Sequence, residues 1–274
     1  MAGLPPQRRT AQFSLVIVCV AALAARVSAQ TPLFRSGVDL ATFGVTVMDK
    51  KGQFVTDLSP EDFEILEDGR PQTIKYFARG TEIEDGPEMH VGLLFDTSGS
   101  MSEDIKLSRS AAVKFLNTLQ DAKDMTLVDF DTEVRVAKYG QKDFPRVVER
   151  IRGRAPDGET ALYDAMGVYL DGATGDDGRK ILVVYTDGGD TRSTSNFADV
   201  MNLLKASDVT VFSVGFLEHA RGATLDRNRL MQLAEASGGQ SFFPSSMKDV
   251  EAAYDKVVQQ IRAQYSLAFT STNG

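Results

Sequence analysis

From His90 onward, runs of strand-forming apolar residues alternate with amphipathic segments, and this alternation restricts the fold more than any other feature of the chain. The strand-like runs are "HVGLLFD", "MTLVDFD", "EVRVAKY", "KILVVYTD", "VTVFSVGF", "GQSFFP" and "QYSLAF". Between them, helical patterns fall near Glu103–Leu119, Phe144–Ile151, Thr160–Leu170, Asn196–Lys205, Asp226–Ala236 and Met247–Arg262. A run such as Ile181 to Tyr185 is apolar at every position, which suits a strand covered on both faces by helices. The alternation therefore predicts an α/β fold with a doubly wound, mostly parallel sheet. In such sheets the binding crevice lies beyond the carboxyl ends of the strands.

Three loops should open into that crevice. "FDTSGSMS" ends an apolar strand on Asp96 and follows it with Ser98 and Ser100; "APDGETALYDA" brings Thr160 to the start of a helix; "VVYTDGGDT" places Asp187 just after another apolar strand. All five side chains offer oxygen, and none offers sulfur or imidazole. That donor set favours a hard divalent ion over zinc: Mg²⁺ first, with Mn²⁺ or Ca²⁺ as alternatives. Taken singly, each residue has a plainer reading. Ser98 and Ser100 could cap the next helix, and Asp187-Gly188 could form a turn. Asp190 reads as a turn aspartate, and Asp129 and Asp131, flanking Phe130, read as solvated residues at a sheet edge.

The five positions in order, on this pattern of strands and helices, resemble the von Willebrand factor A domain family. Its metal-ion-dependent adhesion site is Asp-x-Ser-x-Ser, then a distant Thr, then a distant Asp. The resemblance implies a six-stranded sheet and a divalent cation held at Asp96, Ser98, Ser100, Thr160 and Asp187. It also implies that the hydroxyls do much of the holding, with the aspartates acting partly through bound water. An ion so poorly neutralised stays electrophilic, and a partner protein's Asp or Glu would complete its shell. In adhesion-type A domains, movement of the final helix is coupled to the metal; here that helix is the one near Met247–Arg262.

Upstream, residues 30–84 read as a small β-rich module. "VDLATFGVTVMD" runs into a "DKKG" turn, "FEILEDG" ends in a second turn, and "QTIKYFA" follows. Ser59 and Pro60 start one helical turn between them. The segment "VTVMDKKGQFVTDLSPEDFEILEDGRPQTIKYF" is similar to the one that precedes the A domain in a bacterial group described as von Willebrand factor A-related, acidobacterial type. The acidic stretch "TEIEDGPE" at 81–88 marks the expected boundary, with the A domain spanning 85–270.

Residues 1–29 read as a secretory signal peptide: Arg8 and Arg9 precede the apolar run Phe13 to Ala25, and Val27-Ser28-Ala29 supplies small residues for cleavage. The run is short of the ~20 residues of a spanning helix, so no transmembrane segment is expected after cleavage. Cys19, the only cysteine, lies inside this segment, leaving no thiol for disulfides or metal. The expected location is the periplasm or the extracellular space. Beyond residue 29, 27 basic against 38 acidic side chains leave a net charge of about −11, which argues against nucleic acid as a partner.

The competing function is an exported Mg²⁺-dependent hydrolase of phosphatase type. Asp96 after an apolar strand resembles the nucleophile of haloacid dehalogenase-like phosphatases, but those need a second aspartate two residues on, where this chain has Ser98. Serine hydrolysis would need His90 or His219 as base, and His90 lies at the wrong end of its strand. No P-loop and no G-x-S-x-G elbow occurs. The sequence therefore predicts a non-enzymatic, cation-dependent protein binder.

Overall fold

The computed structural model describes residues 40–80, 88–118, 121–218 and 223–271. The predicted signal peptide, most of the 81–88 boundary and His219 lie outside the described residues. Four short strands come first: β1 (Leu40–Val45), β2 (Ile65–Glu67), β3 (Arg70–Gln72) and β4 (Ile74–Arg79). Then follow β5 (Met89–Asp96), α1 (Ile105–Thr118), β6 (Asp124–Phe130), β7 (Val134–Gly140), α2 (Phe144–Gly153) and α3 (Leu162–Ala173). The chain continues through β8 (Arg179–Thr186), α4 (Phe197–Lys205), β9 (Val209–Gly215), α5 (Ala223–Ala236), β10 (Ser241–Phe242), α6 (Met247–Ala263) and β11 (Tyr265–Thr270).

Six of these strands form one sheet in the order β10-β9-β8-β5-β6-β7. All neighbours are parallel except β7, which returns antiparallel along β6 at the edge. Successive residues of β5 bury on opposite faces: Val91, Leu93 and Phe95 pack with α1, α2 and α6, while Leu94 packs with α3 and α4. Every residue of β5, β8 and β9 is buried, as the unbroken apolar runs require. Gly92 has a packing role, since a Cβ there would fall 2.2 Å from the Tyr169 ring. Central position and double coverage put the carboxyl ends of β5 and β8 side by side, at the point where the connections leave in opposite directions.

The second sheet joins the two ends of the described chain. β11 lies between β1 and β4, antiparallel to both, so "QYSLAF" belongs to the small sheet and not to the six-stranded one. Ile65, Leu267 and Phe269 form its core, with Phe43, Phe63, Ile74 and Phe77 packed against them. Tyr265 anchors the preceding loop: its hydroxyl donates to the Val55 carbonyl (2.8 Å) and accepts from Leu58 N (3.1 Å). The predicted turn is Pro60–Asp62, with Ser59 N and Oγ both donating to the Asp62 carboxylate.

Arg179, at the start of β8, ties the two sheets. Its buried guanidinium donates to the Gly80 carbonyl (3.2 Å), the Ile261 carbonyl (3.0 Å) and Gln264 Oε1 (2.9 Å). Gln264 Nε2 in turn donates to Thr210 Oγ1 on β9 (3.3 Å). Arg179→Met would leave three buried acceptors unpaired, and we expect it to cost about 2–3 kcal/mol, measured as a lowered urea midpoint with unchanged slope.

Candidate functional site

β5 delivers Asp96 to the carboxyl edge of the sheet with no solvent exposure. Both carboxylate oxygens are engaged: Ser98 N donates to Oδ1 (2.9 Å) and Thr186 Oγ1 donates to Oδ2 (2.6 Å). Thr186 is the last residue of β8, and its hydroxyl also accepts from Gly188 N (3.0 Å). Gly188 has φ +87°, and a Cβ there would sit 2.8 Å from Asp226 Cβ, so glycine is required twice over. This turn holds Asp187, 5% exposed, beside Asp96.

Ser98 stands at the start of a single 3₁₀ turn, Gly99–Ser102, yet its hydroxyl makes no capping hydrogen bond. It lies 3.1 Å from Ser100 Oγ, and Ser100 is near enough to the Asp187 carboxyl to oppose the rise in its pKa. Asp96, Ser98 and Ser100 are therefore linked by hydrogen bonds, and Asp187 stands beside them within electrostatic reach of Asp96. The simple capping reading of Ser98 does not describe this arrangement.

Thr160 is brought in by its backbone. Gly99 N donates to the Gly158 carbonyl (3.0 Å) and Asp157 N to the Thr97 carbonyl (2.9 Å), which sews the 154–161 loop to the one after β5. On its other side Thr160 N donates to Thr191 Oγ1, and the Thr160 carbonyl accepts from Thr191 N and Arg192 N, all at 3.0 Å. Gly158, at φ +74°, makes the first contact, since a Cβ would meet Thr132 Oγ1 at 2.4 Å. Ala161, not Thr160, occupies the cap position of α3. The three loops predicted to converge do converge, and the buried Thr160 side chain belongs to the middle one.

Burial, then repulsion from Asp187, pushes the Asp96 carboxyl up to about 7, against the hydrogen bonds from Ser98 and Thr186. Burial likewise raises Asp187, with Ser100 and Gly189 opposing and Asp104 adding repulsion. Asp226 is also raised, by burial first, with Arg229 lowering it and Asp187 raising it. Among the described residues no lysine or arginine ion-pairs with Asp96 or Asp187. Two buried carboxylates beside the Ser98 and Ser100 hydroxyls, with no basic side chain among the described residues paired to them, are chemically suited to a hard divalent ion.

The von Willebrand factor type A domain model matches residues 90–260. The chain belongs to that family. Among solved structures, a minor pilin, PilB (D319A mutant) of Streptococcus sanguinis, aligns at TM-score 0.55 and 14% identity, covering 66% of this chain and 63% of the pilin. A von Willebrand factor type A protein from Catenulispora acidiphila aligns at 0.52 and 19%, covering 64% and 43%. The vWF domain of the type V pili tip protein Mfa5 from Porphyromonas gingivalis aligns at 0.52 and 14%, covering 64% and 95%. This chain thus spans less than two thirds of the first two. No curated protein sequence matches it. Membership in the family supports a protein-interaction role.

Two polar clusters escaped the sequence reading. Asp129, expected to be solvated, is 2% exposed and is enclosed by Arg135 (2.8 Å), Arg154 (3.2 Å) and Arg150. Arg135 also grips Asp131 at 2.6 Å, and the Asp131 carbonyl accepts from Ala161 N, so this ion-pair network braces the Thr160 loop. The arginines sit 6 to 25 positions downstream, on β7, on α2 and at the C-cap of α2, which a local pattern does not show. His90, Asp124 and Asp176 gather at the opposite end of the sheet, where they could hold a metal ion. Lys138 Nζ lies 2.8 Å from both Asp176 oxygens and 3.2 Å from Asp124 Oδ2.

A raised folded pKa means that the metal-free folded state binds more protons than the unfolded chain between pH 4 and 7, so Asp96 destabilises the fold increasingly as pH rises through that window. Asp96→Asn should gain stability relative to wild type over the same interval, by at most about 1.4 kcal/mol per pH unit, read from urea midpoints in chelator. A parallel pH profile for the two proteins would refute the assignment.

Proposed function

We propose that this chain is an exported, non-enzymatic binding protein that holds one divalent cation, Mg²⁺ in the first instance, at Asp96, Ser98, Ser100, Thr160 and Asp187. The cation would present an open position to an Asp or Glu carboxylate of a protein partner. The observation that carries this reading is the burial of Asp96 and Asp187 beside each other, with Ser98 and Ser100 alongside and without a basic partner among the described residues. A carboxylate pair of that kind is stabilised by a cation, and the all-oxygen donor set selects a hard one.

Family membership supports an adhesive or interaction role, and two of the structural neighbours are a minor pilin and a pilus tip protein. Binding is favoured over hydrolysis because Ser98 and the strand-borne imidazole stand at opposite ends of β5: His90 is its second residue, and Ser98 follows its end. Among the described residues no helix is long and apolar enough to cross a membrane.

Calorimetric titration of the chain from Gln30 with Mg²⁺ and Mn²⁺ tests the site. We expect one ion per chain in wild type and none in Asp96→Ala or Thr160→Ala. Thr186→Val, which frees one Asp96 oxygen without touching the ion, should weaken binding by about 10–100-fold. Capture of an acidic partner should then require the metal and be abolished by chelator and by Thr160→Ala. Equal ion binding by wild type and both alanine variants would refute the ligand assignment.

A further inference from the structure

The end of the sheet away from the Asp96 motif is polar where a strand start would ordinarily be apolar or solvated. His90, the second residue of β5, stands in register with Asp124, the first of β6, and the segment between α3 and β8 brings Asp176 against them. One ligand atom from each side chain lies within 4.8 Å of the other two. His90 itself is only 5% exposed.

The hydrogen bonds of the imidazole are the informative part. Nε2 is 3.0 Å from the Asp177 carbonyl oxygen, which can only accept, so Nε2 carries a proton and donates it. In the neutral ring Nδ1 then holds a lone pair, and that lone pair faces Asp124 Oδ1, another acceptor, at 2.9 Å. Two acceptors at that separation need a positive centre between them, either a proton or a metal ion. The charges in direct contact agree: Asp124 and Asp176 bring two negative charges and Lys138 is the one ammonium touching both, while Lys180 and Lys123 act on them from further off and are paired with Asp208 and Glu88.

We propose that this cluster is a second metal site, taking one Zn²⁺-class ion through His90 Nδ1, Asp124 and Asp176, with Lys138 as the displaceable cation that holds the carboxylates when no metal is bound. One imidazole and two carboxylates suit a borderline ion, in contrast to the oxygen-only set at the other end. The Asp177 carbonyl is the outer partner that fixes the imidazole tautomer and leaves Nδ1 free to ligate. Donors at a tetrahedral zinc stand about 3.4 Å apart. The His90–Asp124 and His90–Asp176 separations of 2.9 and 4.0 Å straddle that value, so a small shift of the Asp176 segment completes the triangle. Lys138 sits on the edge strand β7 with its side chain 46% exposed, and it can swing to solvent without disturbing the core. His90 and Asp96 are six steps apart along β5, about 20 Å, so the two sites are independent.

Titration with Zn²⁺ and Co²⁺, in a chain carrying Asp96→Ala to remove the other proposed site, tests this directly. We expect one equivalent to bind, with Co²⁺ giving the visible absorption of a tetrahedral nitrogen–oxygen site. Lys138→Met should bind about tenfold more tightly or better, because the ammonium no longer competes for the same oxygens. His90→Gln should lose the site, and so should Asp176→Asn, which alters a half-buried segment outside the core and keeps the test valid if the histidine variant fails to fold. If neither the parent nor Lys138→Met binds a stoichiometric ion, or if Asp176→Asn binds as tightly as the parent, a proton closes the His90–Asp124 contact and the metal assignment is wrong.

Discussion

A carboxylate with no solvent exposure, placed where the central strand runs out, dictates the arrangement of the three loops around it. Asp96 cannot remain there without partners, because burying an unpaired charge costs several kcal/mol. The partners it finds come from both flanks: Ser98 N from its own loop and Thr186 Oγ1 from β8. The second of these bonds fixes the end of β8, the turn at Gly188 and hence the position of Asp187. Asp187 then adds repulsion to burial, so the pair is left short of positive charge. The scaffold makes the same demand twice, since the loop carrying Thr160 is pinned between the other two by backbone hydrogen bonds on each side.

Much of this was legible because burial writes itself into a sequence as an unbroken apolar run. Ile181 to Tyr185 has no polar face, and a strand without a polar face must be central. The helices between such runs were equally readable, and α6 was placed to within one residue of its observed end. Asp96, Ser98, Ser100 and Asp187 stood out for the complementary reason: they follow the ends of those runs, where polarity brings nothing to a core, and Thr160 stood out at the start of a helix. Contacts between distant segments were not legible. β11 has the same alternating apolar character as any A-domain strand, and only its pairing with Leu40–Val45 and Ile74–Arg79 assigns it to the small sheet. Asp129 followed by Phe130 and Asp131 looks like a wet edge until Arg135, Arg150 and Arg154 are folded onto it.

That placement of β11 gives the last helix an unusual boundary. Only Gln264 lies between the end of α6 and the start of β11, so no loop is available to absorb a displacement of the helix along its axis. Gln264 is itself fixed by Arg179, by Thr210 and by Gly80, and Gly44 leaves no room for it to turn, since a Cβ there would fall 2.2 Å from its amide nitrogen. Higher up, the Tyr254 hydroxyl of α6 meets the Tyr185 hydroxyl of β8, one residue before the threonine that holds Asp96. Movement of α6 would therefore have to break a hydrogen bond in the core beside the motif and slide β11 against β1 and β4 in the same step. Slipping a strand by one residue turns its buried face outward, which for Leu267 and Phe269 means exposing the centre of the small sheet's core. The N-terminal strands thus do more than extend the chain: by pairing with β11 they resist any change in the position of the final helix, and through Tyr254 and Tyr185 that resistance reaches the loops around Asp96.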